Sequence, residues 1–246
     1  FMVSLSPKII LLVKNRALGD SVMGLASLSY LRTLYPDAKI IYGVPKWIAP
    51  LYKNCQTEAD EILPLDFSSL YAWWKLWWLL KKKSVDLVYE MHLSGRSKKF
   101  FDLFSSFNAI YYKFHNHHLG VNSQSLSCNQ TNVHDQGKVK PLIQRDLDGL
   151  WSALACDSIA PHFLDFTPSL SLKLADQKQT TEKNKNKIIF GVVATRNTKM
   201  WRLENYVKLA REISEKTDYK IIIPLSIAQK DLQIERELIS LGLPDC

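Results

Sequence analysis

The segment Lys8-Ile-Ile-Leu-Leu-Val-Lys14, an unbroken run of β-branched and leucine residues closed at each end by a lysine, constrains the fold more than any other. A strand with one face in water alternates polar and apolar residues, whereas an unbroken run is apolar on both faces and must be covered on both. The stretch after it carries no charged residue from Ser21 to Leu31. A helix there, with Val22, Leu25, Ala26, Leu28 and Leu31, is apolar nearly all round and lies deep in the fold, ending near Pro36-Asp37. A buried strand followed by a buried helix opens an α/β domain.

Further strands are expected at Lys39 to Val44, Glu61 to Leu65, Asp86 to Glu90 and Ala109 to Tyr112, spaced for helical crossovers. Lys113 to Lys140 is polar and aperiodic, and Leu142 to Ala155 reads as another helix. The segment Lys173 to Lys187 has almost nothing to bury and is read as a linker. Beyond it come a buried strand from Ile188 to Ala194, an amphipathic helix from Leu203 to Lys216, a strand from Tyr219 to Pro224 and a helix near Ala228 to Leu241. The expected organisation is therefore a first Rossmann-like domain over 1–172, a polar linker over 173–187 and the start of a second over 188–246. About sixty residues are roughly half of what an α/β domain needs, so the second domain is expected to be incomplete.

The 246 residues, 46% hydrophobic and 23% charged, describe a globular protein, and the net charge of +8 suits phosphates, acidic lipids or nucleic acid. No nucleic-acid recognition motif is present and the basic residues are not gathered on one stripe, which argues against nucleic acid. The four cysteines form no CxxC pair or disulfide framework, so a reducing compartment is expected. The apolar run Ile9 to Val13 is far shorter than the ~20 residues a membrane span requires.

Ligands of open parallel sheets bind at the carboxyl ends of strands, beside helix N-termini. The first such turn is Lys14-Asn-Arg-Ala-Leu-Gly-Asp20, where Asp20 falls at the expected N-cap: it either caps the helix or reaches a cleft as a base. No glycine is followed two positions later by another, and no GxxxxGK[ST] loop occurs, which excludes the common dinucleotide and P-loop grips. The second domain offers Ala194-Thr-Arg-Asn-Thr-Lys-Met-Trp201 between a strand and a helix. Thr195, Arg196 and Lys199 there are suited to a diphosphate, unless the loop is merely solvated. His92 and Arg96 follow a strand end on the side of Asp20, and Arg96 suits an acidic sugar or a phosphate.

Four tryptophans, Trp73, Trp74, Trp77 and Trp78, fall within six positions before Lys81-Lys82-Lys83. Either they pack on the sheet, or they lie in a lipid interface as contacts to the membrane. Asp146-Leu-Asp148 spells DxD, but positions two apart on a helix diverge, so no metal site is expected there. His115, His117 and His118 lack a matching carboxylate or cysteine pattern for zinc. Asn129-Gln-Thr131 is read as a chance sequon.

The stretch Ile10-Leu-Leu-Val-Lys-Asn-Arg-Ala-Leu-Gly-Asp20 precedes an apolar helix, Tyr35-Pro-Asp-Ala38 and Asp60-Glu-Ile-Leu-Pro-Leu-Asp66. Asp86-Leu-Val-Tyr-Glu-Met-His-Leu-Ser-Gly-Arg96-Ser97 and the 194–201 loop follow. This ordered set resembles glycosyltransferase family 9, the ADP-heptose:lipopolysaccharide heptosyltransferases. The resemblance implies a GT-B fold of two Rossmann-like domains, and transfer of a heptose from ADP-heptose to a lipopolysaccharide core or lipid A acceptor with inversion. It implies Asp20 as the catalytic base, Thr195, Arg196 and Lys199 on the donor diphosphate, and Arg16, His92 and Arg96 toward the acceptor. It implies no cofactor and no metal, and a cytoplasmic location peripheral to the inner membrane. Arg202 stands where the family usually has a proline, and the family's Asp-Thr-Gly loop has no counterpart before Cys246, so the alternative is a truncated, non-catalytic chain that binds anionic lipid or glycolipid.

Overall fold

The structure is a computed structural model in which residues 6–93, 95–116, 130–134, 140–154, 158–172, 186–194 and 197–244 are described. The chain divides into two compact units, Phe1–Gln177 and Lys178–Cys246.

The first unit is built on a six-stranded sheet. Strand β1 (Ile9–Val13) is the uncharged run, and β2 (Lys39–Pro45), β4 (Glu61–Leu65), β5 (Leu87–Met91), β6 (Tyr111–Asn116) and β7 (Gln130–His134) join it in the order β4-β2-β1-β5-β6-β7. Every pairing is parallel. Order reverses between β1 and β5, the crevice where open α/β sheets bind ligands. At the other, amino end of these two strands Asp86 ties β5 to β1, its carboxylate accepting the backbone N–H groups of Lys8 at 2.8 Å and Ile9 at 3.0 Å.

The pleat of β1 divides its side chains between two cores. Ile10 and Leu12 pack with Leu25, Leu28 and Leu31 of α2 (Leu25–Leu34) and with Leu147 and Leu150 of α5 (Leu142–Leu154). Leu11 and Val13 face the opposite layer, Leu76 and Leu80 of α3 (Leu70–Lys82) and Phe100, Phe101 and Phe104 of α4 (Gly95–Asn108). Burial on both faces explains the absence of polar residues from the run; each such side chain contributes roughly 1.5–3 kcal/mol. A two-stranded antiparallel pair, β3 (Cys55–Gln56) with β8 (Ser171–Leu172), completes the unit.

Two expectations need correction. The single helix expected over Ser21 to Leu31 is two, α1 (Leu18–Met23) and α2, broken at Gly24. The polar stretch after Lys113 is not all loop: β6 runs on to Asn116, and β7 adds a sixth strand inside a segment with no apolar period to announce it.

The second unit is a β-α-β-α run: β9 (Lys187–Ile189), α6 (Leu203–Lys216), β10 (Lys220–Ile222) and α7 (Gln229–Ser240), with β9 and β10 parallel. Strand β9 begins at Lys187 and is shorter than expected, although Phe190 and Val192 remain buried and Phe190 N–H still donates to the Ile222 carbonyl. Val207 and Ala210 of α6 and Ile234 and Leu238 of α7 close its core. Residues 173–185, most of the expected linker, lie outside the described residues.

Candidate active site

Four chain segments meet at the carboxyl end of the first sheet. The turn after β1 supplies Arg16 and Asp20, the ends of β2 and β4 supply Lys46, Trp47 and Asp66, and the first residues of α4 supply Arg96. They line an open cleft of about 1140 Å³. Three cations, Arg16, Lys46 and Arg96, face two carboxylates, Asp20 and Asp66, so the cleft favours an anionic ligand. Hydrogen bonds from Ser68 hold the Asp66 carboxyl below its ordinary range, with Lys46 a further contribution at 3.5 Å.

The structure therefore brings Arg16, Asp20 and Arg96 together. His92 is different: it is buried just past β5, adopts a left-handed backbone with φ of +63°, and does not line the cleft. Lys46, Trp47 and Asp66 were not singled out from the sequence. The available signal was positional, because Asp66 directly follows one predicted strand and Lys46 and Trp47 lie two and three residues past another.

Asp20 is not an N-cap. Ala17 holds that position, and Asp20 is the third residue of α1, half-buried in its first turn. Its neighbour Ser21 is held on two sides. The Tyr42 hydroxyl donates to the Ser21 carbonyl at 2.8 Å, and the Ser21 and Tyr52 hydroxyls lie 3.0 Å apart, with Ser21 Oγ also donating to the Leu18 carbonyl at 2.8 Å. Burial pushes the Tyr42 phenol far above its ordinary pKa, with Tyr52 and the carboxylates of Asp146 and Asp20 adding to it, so Tyr42 remains a donor. This intrusion accounts for the break at Gly24: Tyr42 enters the helical hydrogen-bond ladder, and a Cβ on Gly24 would lie 2.4 Å from its hydroxyl.

Beneath the cleft lie two buried polar groups of opposite face. On the α5 side, Lys14 Nζ pairs with Asp146 Oδ2 at 2.5 Å, and His115 Nε2 lies 3.1 Å from Asp146 Oδ1. The Tyr89 hydroxyl is 2.9 Å from His115 Nδ1. An imidazole protonated at Nε2 donates to Asp146 and accepts from Tyr89, whose phenol is driven far up by burial and by the charge of Asp146. Lys14, expected to flank the strand, and Asp146, noted in the sequence only as half of a DxD spelling, are thus fully buried partners. On the α4 side, Glu90 accepts hydrogen bonds from Ser97 Oγ and from the Tyr112 hydroxyl at 2.5 Å.

In the second unit Lys199 closes a short 3₁₀ turn, Asn197–Lys199, and is exposed. Thr195 and Arg196 lie outside the described residues. Lys230 of α7 reaches over this loop, donating to the Ala194 carbonyl at 2.7 Å and to Asn197 Oδ1 at 3.2 Å. Nothing in its sequence context pointed to it.

The tryptophans of α3 divide by face. Trp73 and Trp77 pack edge-on against Phe100 and Phe104, so the expected contact of these two with a membrane is corrected: at helical spacing they turn to the core. Trp74 and Trp78 are exposed, with Tyr71 stacked on Trp74. Lys83 does not join an exposed cluster but pairs with Glu61 at 2.5 Å. No helix among the described residues is long and apolar enough to cross a membrane, and no group of three or more His, Cys, Asp or Glu among them could hold a metal ion. His117, His118 and Asn129 lie outside the described residues.

Residues 73–242 match the family described as glycosyltransferase family 9 (heptosyltransferase). No curated protein matches the chain by sequence. Among solved structures, Escherichia coli ADP-heptose LPS heptosyltransferase II superposes with a TM-score of 0.64 at 20% identity, over 94% of this chain and 68% of that one. A family 9 glycosyl transferase from Veillonella parvula gives 0.69 at 15% identity, over 95% and 67%. The E. coli heptosyltransferase WaaC, solved with ADP, gives 0.61 at 17% identity, over 96% and 72%. At these identities the likeness speaks for the fold, an α/β architecture of GT-B type.

Proposed function

This chain belongs to glycosyltransferase family 9, and from that premise we propose that it transfers a heptose from ADP-heptose to the inner core of lipopolysaccharide, with inversion. The observation that carries this reading is the convergence of Asp20, Arg16 and Arg96 on one cleft at the carboxyl end of the parallel sheet. In this reading residues 1–172 form the acceptor domain, 173–187 a linker and 188–246 the donor domain.

Asp20 takes the proton of an acceptor hydroxyl as that oxygen attacks the anomeric carbon, the bond from the anomeric carbon to ADP breaks, and ADP leaves as an anion. A single displacement of this kind inverts the configuration. Arg16 and Arg96 hold the anionic groups of the acceptor core, which matches the excess of cations around the cleft. Lys199, with Thr195 and Arg196, neutralises the departing diphosphate by charge. A neighbouring structure of WaaC contains ADP-2-deoxy-2-fluoro heptose, which supports a nucleotide-sugar donor of this class. The exposed Tyr71, Trp74 and Trp78 and the lysines beside them support a cytoplasmic protein peripheral to the inner membrane.

The test is the mass of the core oligosaccharide from cells lacking the gene, complemented with this chain or its Asp20→Ala version. Loss of one heptose, repaired by the chain but not by Asp20→Ala, is expected. An unaltered core in the deleted cells overturns the reading, and loss of a heptose that the chain does not restore favours a non-catalytic lipid-binding chain.

A further inference from the structure

Beside the cleft lies a second cavity of different character. It occupies about 900 Å³ between α3 and the sheet's edge strand β4, with Pro64, Tyr71, Leu76, Trp78 and Leu79 as its apolar wall. That size falls in the range of small-molecule sites. Lys46 and Asp66 line this groove as well as the cleft, so the two cavities adjoin at that ion pair. We propose that the groove along α3 takes the alkyl chain of an anionic amphiphile whose polar head lies in the cleft. The inference rests on the reading of that cleft as the acceptor site, and it adds that the acceptor is bound by its hydrocarbon as well as by its sugar.

Three observations carry it. Of the groove-lining residues of the helix only Leu76 serves its own packing, with Leu80, Trp73 and Trp77 as the other anchors to the core, while Tyr71 and Trp78 remain 66% and 55% exposed. Large rings left in water beside a cavity mark a binding surface. The charge is complementary to the proposed head group, because Arg16, Lys46 and Arg96 line the cleft that takes it, and Lys75, Lys81 and Lys82 along the groove add to the positive field. Two of these lysines lie over the rings, Lys75 Nζ 5.8 Å from the centroid of Tyr71 and Lys81 Nζ 5.6 Å from that of Trp78, so their stems cover apolar surface while their ammonium groups stay available to an anion. The wall also has little to offer a free sugar, which needs hydrogen bonds along its length, whereas a hydrocarbon chain needs none.

The experiment titrates the whole chain with alkyl phosphates of eight, ten and twelve carbons, each below its micellar concentration, by calorimetry. Inorganic phosphate and dioleoylphosphatidylglycerol vesicles are run in parallel. Saturable binding at one equivalent is expected, strengthening about fourfold per added CH₂ if each is fully buried. Ala72→Phe, which fills the groove, and Leu79→Glu, which places a carboxylate in it, are each expected to weaken dodecyl phosphate at least tenfold while leaving inorganic phosphate unchanged. Unfolding curves identify a variant that has lost its fold, and the other then decides. Affinity independent of chain length, binding unaffected by either folded variant, or binding to vesicles without saturable binding of the monomeric amphiphile overturns the proposal; the last result assigns α3 to the bilayer surface. Failure of the transferase reading is separately visible as absent heptose transfer with amphiphile binding intact, which leaves the groove assignment standing.

Discussion

A methyl group on Gly149 would sit 2.5 Å from Nδ1 of His115 and 2.9 Å from the Tyr89 hydroxyl. Glycine in the middle of a helix costs about 1 kcal/mol relative to alanine, so its presence in α5 is explained by what it admits. It lets the imidazole approach the helix closely enough for Asp146, one turn away, to meet both His115 and Lys14. Gly149→Ala is therefore expected to destabilise the protein by about 1–3 kcal/mol despite the gain in helix propensity. Urea unfolding of Gly149→Ala, His115→Ala and the double variant measures the coupling; additive effects would exclude the steric account.

The Lys14 and Asp146 pair is fully buried, so removing one charge leaves the other stranded. Asp146→Ala is expected to cost about 3–5 kcal/mol, and Lys14→Met combined with Asp146→Leu far less than the two single changes together. Denaturant midpoints of the natural chain, Asp146→Ala, Lys14→Met, Asp146→Leu and the double variant provide the check.

Tyr42 and Gly24 make a second close fit, and it bears on catalysis because Tyr42 holds the residue next to Asp20. Tyr42→Phe removes only the hydroxyl, and a lowered kcat with little change in KM is expected of it. Gly24→Ala should cost about 1–3 kcal/mol in the natural background. In the Tyr42→Phe background it should cost measurably less, since the overlapping atom is gone. Equal costs in both backgrounds would rule out the overlap as the cause.

Asp20→Ala is expected to lower kcat by about 10²–10⁴, the usual contribution of a positioned base. Its stability should change little, because Asp20 is half-buried and its side chain does not cap α1. A transferase assay beside a thermal melt separates the two effects.

Asp60 governs part of the acid limit. Burial pushes its carboxyl upward, but the Ile40 N–H at 2.7 Å and the Arg32 guanidinium at 2.8 Å outweigh this and hold it below its ordinary range. A folded-state value below the unfolded one means that stability is fully present above the unfolded value, about 4, and is lost as pH falls through the folded one. Between those values the unfolded chain binds more protons. Wild type is expected to lose thermal stability over that window more steeply than Asp60→Asn, and parallel melting curves would refute the assignment.

Much of the fold was legible because it is written in short-range periodicity. The uncharged run of β1 announced burial on two faces, the apolar stripe of α6 gave its full extent, and the turn after β1 located Asp20 and Arg16. Strand β7 was not legible, because its residues, Gln130–His134, are polar except for Val133 and take their place by pairing with β6. Nor was the division of the tryptophans certain, although their spacing separates Trp73 and Trp77 from Trp74 and Trp78. Only the position of α4 decides which pair faces Phe100 and Phe104.

The sequence by itself determined most of the strands and helices, the burial of β1 on both faces, and where a parallel sheet offers its ligand-binding turn, since each depends on residues within a few positions of one another. The tertiary structure alone decided the partners. Lys14 read as a strand-flanking charge and Asp146 as half of an unremarkable DxD, yet they meet across 132 positions in a site with no access to water. A charge can be buried only opposite its counter-charge, and which residue supplies it is set by the packing of α5 on β5, β6 and β7.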